Sequence, residues 1–174
     1  MSSGKTAHLL AVAGNYESLG KKVLVLKPRI DTRTNDSIVE SRLGISRKID
    51  HYLDSDTIIR EEWLLDIACI LVDESQFMSA FVIDQLREIT IKYDIPCICY
   101  GLRTDYQLKL FPGSLRLFEV ADLIQEPNIT ICAHCSKKRA IVNSRRDRSI
   151  QGQIVVGGSE LYESLCYACF RKTS

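Results

Sequence analysis

Three short stretches of this chain carry residues whose types and spacing could do chemistry. The first is Met1-Ser2-Ser3-Gly4-Lys5-Thr6. A phosphate-binding loop is written Gly-x-x-x-x-Gly-Lys-Ser/Thr, because backbone N–H groups wrap the phosphates, the lysine reaches the terminal ones and the hydroxyl binds Mg2+. Gly4, Lys5 and Thr6 fill its last three places, with Met1, Ser2 and Ser3 as the turn before them. The same residues could form an ordinary helix N-cap, with Ser2 or Ser3 satisfying orphan N–H groups. The second stretch, Ile70 to Phe77, is an apolar run that ends in Asp73-Glu74. A strand ending in an acidic pair beside a phosphate loop delivers a carboxylate to Mg2+, which makes Asp73 the metal-side candidate. Glu74 is the catalytic candidate, since a carboxylate beside the metal can accept the proton of an attacking hydroxyl or water. The third stretch holds Cys132, Cys135, Cys166 and Cys169 as two Cys-x-x-Cys knuckles. Each knuckle puts two thiolates on one tight turn, and two turns complete the tetrahedron Zn2+ prefers. A disulfide or redox pairing is the competing use of such cysteines. His134 lies inside the first knuckle and could substitute as a ligand, but four cysteines already close the site, and a closed site is structural.

Regular elements must position these residues. Lys5 to Leu19 is helix-compatible, with Leu9, Leu10, Ala13 and Tyr16 on one face, and Gly20 can end it in the left-handed conformation of a C-cap. Such a helix points its dipole at a phosphate held by Gly4-Lys5-Thr6. Apolar, β-branched runs at Lys22–Leu26, Ile67–Val72 and Ile95–Tyr100 alternate with amphipathic stretches at Ile58–Leu65 and Phe81–Tyr93. Continuous apolar strands separated by helices predict an α/β fold, a parallel sheet covered by helices on both faces. Cys69, Cys97 and Cys99 lie inside these runs and read as buried thiols. Trp63 and His51 read as packing and surface residues. The chain divides at Glu126-Pro127 into residues 1–126 and 127–174, because after Pro127 the helical period disappears and the polar, Arg-rich cysteine segment begins.

Composition narrows the class. With 174 residues, 45% of them hydrophobic, the chain can bury one good core and a small appended module. It has no apolar run long enough to cross a membrane as a helix and no secretory-type apolar stretch, so a cytoplasmic protein is expected. Residues 127–174 hold 8 Lys and Arg against 3 Asp and Glu, a formal +5 that offsets −4 elsewhere. A basic ribbon could contact nucleic-acid phosphates, so a P-loop ATPase or a nucleic-acid-binding module with a zinc ribbon is the rival reading. Four thiolates on one Zn2+ would reduce that charge to about +3, and Arg145-Arg146-Asp147-Arg148 lacks interleaved aromatics. No nucleic-acid partner is therefore expected.

In ordered sequence, these segments resemble the type II thymidine kinases. Met1 to Thr6 is similar to the end of that family's Gly-Pro-Met-x-Ser-Gly-Lys-Ser/Thr loop, Asp31-Thr32-Arg33 to its Asp-x-Arg element, and Asp73-Glu74-Ser75-Gln76-Phe77 to its Asp-Glu-x-Gln-Phe motif. Tyr100 to Asp105 with Phe111 resembles the segment lining its base pocket, and Val155-Val156-Gly157-Gly158 with Tyr162 its lasso loop. Cys169 stands where many relatives have His; either type ligates Zn2+.

The resemblance implies a RecA-like P-loop sheet joined to a small C-terminal zinc-ribbon-like domain. It implies transfer of the ATP γ-phosphoryl group, with Mg2+, to the 5′-hydroxyl of thymidine or deoxyuridine. Lys5 would stabilise the transferring charge, Thr6 and Asp73 would serve Mg2+, and Glu74 would take the proton. Met1 to Thr6, Asp31 to Arg33 and Asp73 to Gln76 would surround ATP. Phe77, Phe111 and Tyr162 would flank the base, with the backbone of Gln153, Ile154, Val155, Val156 and Gly157 hydrogen-bonding its edge. The family also implies a homotetramer, inhibition by dTTP and a structural Zn2+ on the four cysteines. The strand and first glycine of its loop would precede Met1, so a chain truly starting there is expected to be inactive.

Overall fold

The computed structural model describes residues 4–29, 38–42, 44–126, 129–147 and 160–173. Helix α1 (Lys5–Ser18) starts from Gly4, whose φ of 71° is a left-handed turn into the helix. It ends where Gly20, at φ 70°, donates its N–H to Glu17 O at 2.9 Å. Strands β1 (Lys22–Pro28), β4 (His51–Leu53), β5 (Ile67–Val72) and β6 (Cys97–Cys99) make one four-stranded sheet in the order β4-β1-β5-β6. Every pairing in it is parallel. Between β1 and β4 lies a small antiparallel hairpin of β2 (Ile38–Glu40) and β3 (Ser46–Lys48).

Strand alternation explains how the sheet is covered. Leu24 and Leu26 of β1 and Ile70 and Val72 of β5 face one way, onto Val82, Ile83, Leu86 and Ile89 of helix α2 (Ala80–Tyr93). Helix α3 (Pro112–Val120) adds Leu117 and Val120 to that face. The odd-numbered residues Val23, Val25, Cys69 and Leu71 face the other way, onto Leu9, Leu10 and Ala13 of α1. Each fully buried aliphatic side chain contributes about 1.5–3 kcal/mol. This two-sided covering delivers the ends of β1, β5 and β6 to the same edge of the molecule, next to the start of α1.

Three expectations need correction. Ile58–Leu65 is not an amphipathic helix: only Glu61–Leu64 forms a 3-10 turn, and Ile58 and Leu65 are 69% and 71% exposed. The Gln85 side chain captures the preceding backbone instead, accepting from Ile59 N–H and donating to Thr57 O, both at 2.9 Å. Cys97 and Cys99 are half-buried rather than buried, because β6 is the sheet's last strand among the described residues. Helix α4 (Tyr167–Thr173), which carries Cys169, resumes the helical period expected to disappear after Pro127. That segment otherwise consists of an antiparallel ribbon, β7 (Val142–Arg145) with β8 (Tyr162–Leu165), and its own small core of Leu165, Cys132 and Cys166 against Phe170.

Candidate active site and metal centre

The phosphate loop and the acidic strand end meet in space. Lys5 and Thr6 form the first turn of α1, which no side chain caps at Gly4, leaving its N–H groups directed at whatever lies beyond. At the end of β5, Asp73 donates its backbone N–H to Leu26 O of β1 at 3.0 Å and is only 4% exposed. Its carboxyl is pushed up to about 6, by burial first and by the charge of Glu74 second, while the ammonium groups of Lys27 and Lys5 pull the other way. Lys5 and Asp73, 68 positions apart, thus act on each other electrostatically. Asp73 Oδ1 is buried without a hydrogen-bond partner among the described residues. A buried carboxylate oxygen kept clear of donors, among cationic side chains and a bare helix start, suits a hard cation that binds oxygen, such as Mg2+.

Glu74 follows in a left-handed conformation, φ 51° and ψ 38°, which a β-carbon makes unfavourable. The surrounding backbone imposes it. Ser75 N–H is held by Tyr100 O at 2.9 Å, and Tyr100 N–H by Val72 O at 2.8 Å, so the chain must turn sharply after β5. Gly113 permits this turn: a Cβ there would lie 2.5 Å from Ser75 O and 2.8 Å from the carbonyl oxygens of Gln76 and Met78. Gly101 does the same from the loop after β6, where a Cβ would sit 2.7 Å from Ser75 Oγ. The Glu74 carboxylate accepts a hydrogen bond from Gln76 Nε2 at 2.6 Å.

Two of the aromatic residues expected at a base are in contact. Phe77 and Phe111 meet edge to face, centroids 5.6 Å apart, Phe77 half-buried and Phe111 buried at the start of α3. Tyr162 is on β8, and its neighbour is Arg145: the buried guanidinium lies 3.9 Å over the Tyr106 ring and donates from Nη2 to Tyr162 Oη at 3.4 Å. That stack ties the ribbon to the loop after Gly101. Met1, Ser2, Ser3, Asp31, Thr32, Arg33 and Gln153 to Gly157 lie outside the described residues.

Sequence reading missed several participants. Lys27 is 4% exposed in an otherwise apolar buried strand, and that interruption was the signal that could have found it. Arg145, Tyr106, Gly113 and Ser114 gave none, since their importance comes from what the fold brings against them.

At the metal centre, the four Sγ atoms of Cys132, Cys135, Cys166 and Cys169 all lie within 4.8 Å of one another. The turns that hold them are tight: Ser136 N–H bonds back to Cys132 O and Phe170 N–H to Cys166 O, each at 2.9 Å. Burial resists ionisation of Cys132, but the N–H groups of Cys135, Cys166 and His134 outweigh it and bring the thiol down to about 6. Cys169 is pushed up to about 12 by the neighbouring Cys166 thiol and by burial. Four thiols this close cannot all ionise without a cation among them, and a soft tetrahedral ion such as Zn2+ supplies it. His134 turns away, its Nε2 3.1 Å from Glu163 Oε2.

The chain is similar over nearly its whole length to proteins of one family. A family model described as "Thymidine kinase" matches residues 1–170. A thymidine kinase of Chromobacterium violaceum is 41% identical, the match covering 98% of this chain and 93% of that protein. One from Enterobacteria phage T4 is 40% identical over 95% of this chain and 89% of its own length. One from Legionella pneumophila strain Paris is 38% identical over 99% and 86%.

Proposed function

Because the chain belongs to the thymidine kinase family, we propose that it transfers the γ-phosphoryl group of ATP to the 5′-hydroxyl of thymidine or deoxyuridine. The observation that carries this reading is the convergence of Lys5 at the start of α1 with Asp73 and Glu74 at the end of β5. Phosphoryl transfer asks mainly for positioning and for charge stabilisation, and this cluster supplies both. The N–H groups of α1 and the Lys5 ammonium hold the phosphates and take up the charge that develops on them. Asp73 and the Thr6 hydroxyl are the groups that would hold Mg2+, which would supply positive charge to stabilise the phosphates. Glu74 accepts the proton of the 5′-hydroxyl as that oxygen attacks. Asp31 to Arg33 and Ser75 complete the phosphate side. Phe77 and Phe111 offer apolar faces to the base, and Tyr162 and the backbone of Gln153 to Gly157 close over it.

The four cysteines would hold Zn2+ as a structural ion that fixes the ribbon bearing Tyr162. With this function go a division into residues 1–126 and 127–174, a homotetramer, restraint by dTTP and a cytoplasmic location. The test is direct: the purified protein with an intact phosphate loop, given ATP, Mg2+ and thymidine, should form thymidine monophosphate and ADP in equal amounts. ADP release that is indifferent to thymidine would instead mark an ATPase.

A further inference from the structure

Gln76 is 1% exposed, and both ends of its amide are engaged. Its Oε1 accepts the backbone N–H of Leu102 at 2.9 Å, and its Nε2 donates to Glu74 Oε2 at 2.6 Å. A backbone N–H can only donate, so the amide oxygen must face Leu102, and the amide NH2 is thereby committed to Glu74. Leu102 is fixed in turn from its other side, where Ser114 Oγ donates to Leu102 O at 2.6 Å. Ser114 stands in the first turn of α3, which begins next to Phe111. An unbroken line of short hydrogen bonds therefore runs from the wall carrying Phe111, through Ser114, Leu102 and Gln76, to the Glu74 carboxylate. Gly101 lets this line close: a Cβ there would fall 2.9 Å from Gln76 Oε1.

We propose that Gln76 is a positioning residue for phosphoryl transfer, aiming the Glu74 carboxylate by a donor whose direction is set by Leu102 in the nucleoside-pocket wall. The proposal rests on the reading of Glu74 as the proton acceptor. It moves Gln76 away from the phosphates, since its amide is used on both sides. An amide tied to pocket wall and carboxylate together makes the aim of Glu74 depend on the seating of the α3 start.

Steady-state kinetics with thymidine, ATP and Mg2+ on the wild type, Gln76→Glu, Gln76→Met and Glu74→Gln test it, with thymidine affinity by calorimetry and melting temperature for each. Gln76→Glu keeps an oxygen for Leu102 N–H but replaces the amide donor with a second carboxyl beside Glu74, whereas Gln76→Met removes the donor without adding a charge. The expected result is a fall in kcat of about 10–100-fold for Gln76→Glu with both KM values within about threefold of wild type. Gln76→Met, which adds no charge, should lose a similar factor in kcat, and it carries the test if the Glu variant folds poorly. A Gln76 that only holds the fold would lower the melting temperature or raise KM in Gln76→Met and leave its kcat unchanged. That outcome, with Glu74→Gln inactive, overturns the proposal and leaves the role of Glu74 intact. Activity retained in Glu74→Gln overturns the role of Glu74, and the proposal with it.

Discussion

The cysteine cluster and the acidic strand end are built on opposite plans. In the cluster, four identical groups arrive as two adjacent pairs on two turns, and each turn shapes half of the site before the rest of the fold is considered. At the strand end, unlike groups arrive from separate elements: Lys5 from a helix start, Lys27 from β1, Asp73 and Glu74 from just past β5, Gln76 from the turn beyond. No local segment makes that site. It exists only once two faces of a sheet are packed. The difference teaches where each should fail. The cluster should be lost as a unit with its ion while the sheet survives, whereas the strand end should lose function to single substitutions that leave the fold standing.

The largest expected effect tests the second half of that contrast. Glu74→Gln should lower kcat by about 10²–10⁴-fold, the range for removing a general base, with thymidine and ATP affinity and the circular dichroism spectrum nearly unchanged. A loss of folding in step with activity would erase the distinction between the two regions. The first half is tested by Cys166→Ser. Wild type should contain one Zn per chain by metal analysis and the variant none. Hydrogen exchange should then show the amides of β7 and β8 unprotected while those of β1 and β5 keep their protection. Metal-free protein with a protected ribbon would refute a structural ion there.

A pH effect sharpens the comparison further. Asp73 titrates near 6 in the folded chain against an ordinary 3.8, so the folded state holds its proton more tightly than the unfolded state does. Stability contributed by that proton is present below about pH 4 and is lost as pH rises through about 6. In Mg2+-free buffer at pH 7, Asp73→Asn should therefore be more stable than wild type by about 1–3 kcal/mol, and inactive. Urea melts across pH 4–8 check both the gain and the loss of slope. The smallest effect concerns the backbone that shapes the turn: Gly113→Ala must push a methyl onto three carbonyl oxygens, which should cost about 1–3 kcal/mol and weaken thymidine binding. A thermal melt indistinguishable from wild type would show that α3 can withdraw from the turn after Glu74 freely.

How much of this was readable beforehand follows the same division. The cysteine ligand set stood in the sequence because spacing alone assembles it. Strand β5 was legible to the residue, since Ile67–Val72 is buried on both faces and reads as an uninterrupted apolar run. Asp73 and Glu74 were marked by their place at its end. The hairpin β2–β3 and the short strand β4 were not, because three-residue strands carry too little pattern to separate from loops. The segment from Ile58 to Leu65 has helical spacing, yet hydrogen bonds from the distant Gln85 override it. Gln76 was noted only as part of a motif. Its engagement with Leu102 depends on β6 lying beside β5, and no local spacing encodes that.

Trp63 is the chain's single tryptophan, and it stacks on His51 with centroids 3.8 Å apart and planes 12° from parallel. The molecule thus carries its own optical reporter at the start of β4, far in sequence from every cysteine ligand. Contact with the imidazole affects indole emission, so fluorescence should change when unfolding separates the rings. Emission will then follow the sheet alone, and release of the metal to a coloured chelator will follow the ribbon. Two signals recorded in one cuvette can time the dismantling of the two regions independently.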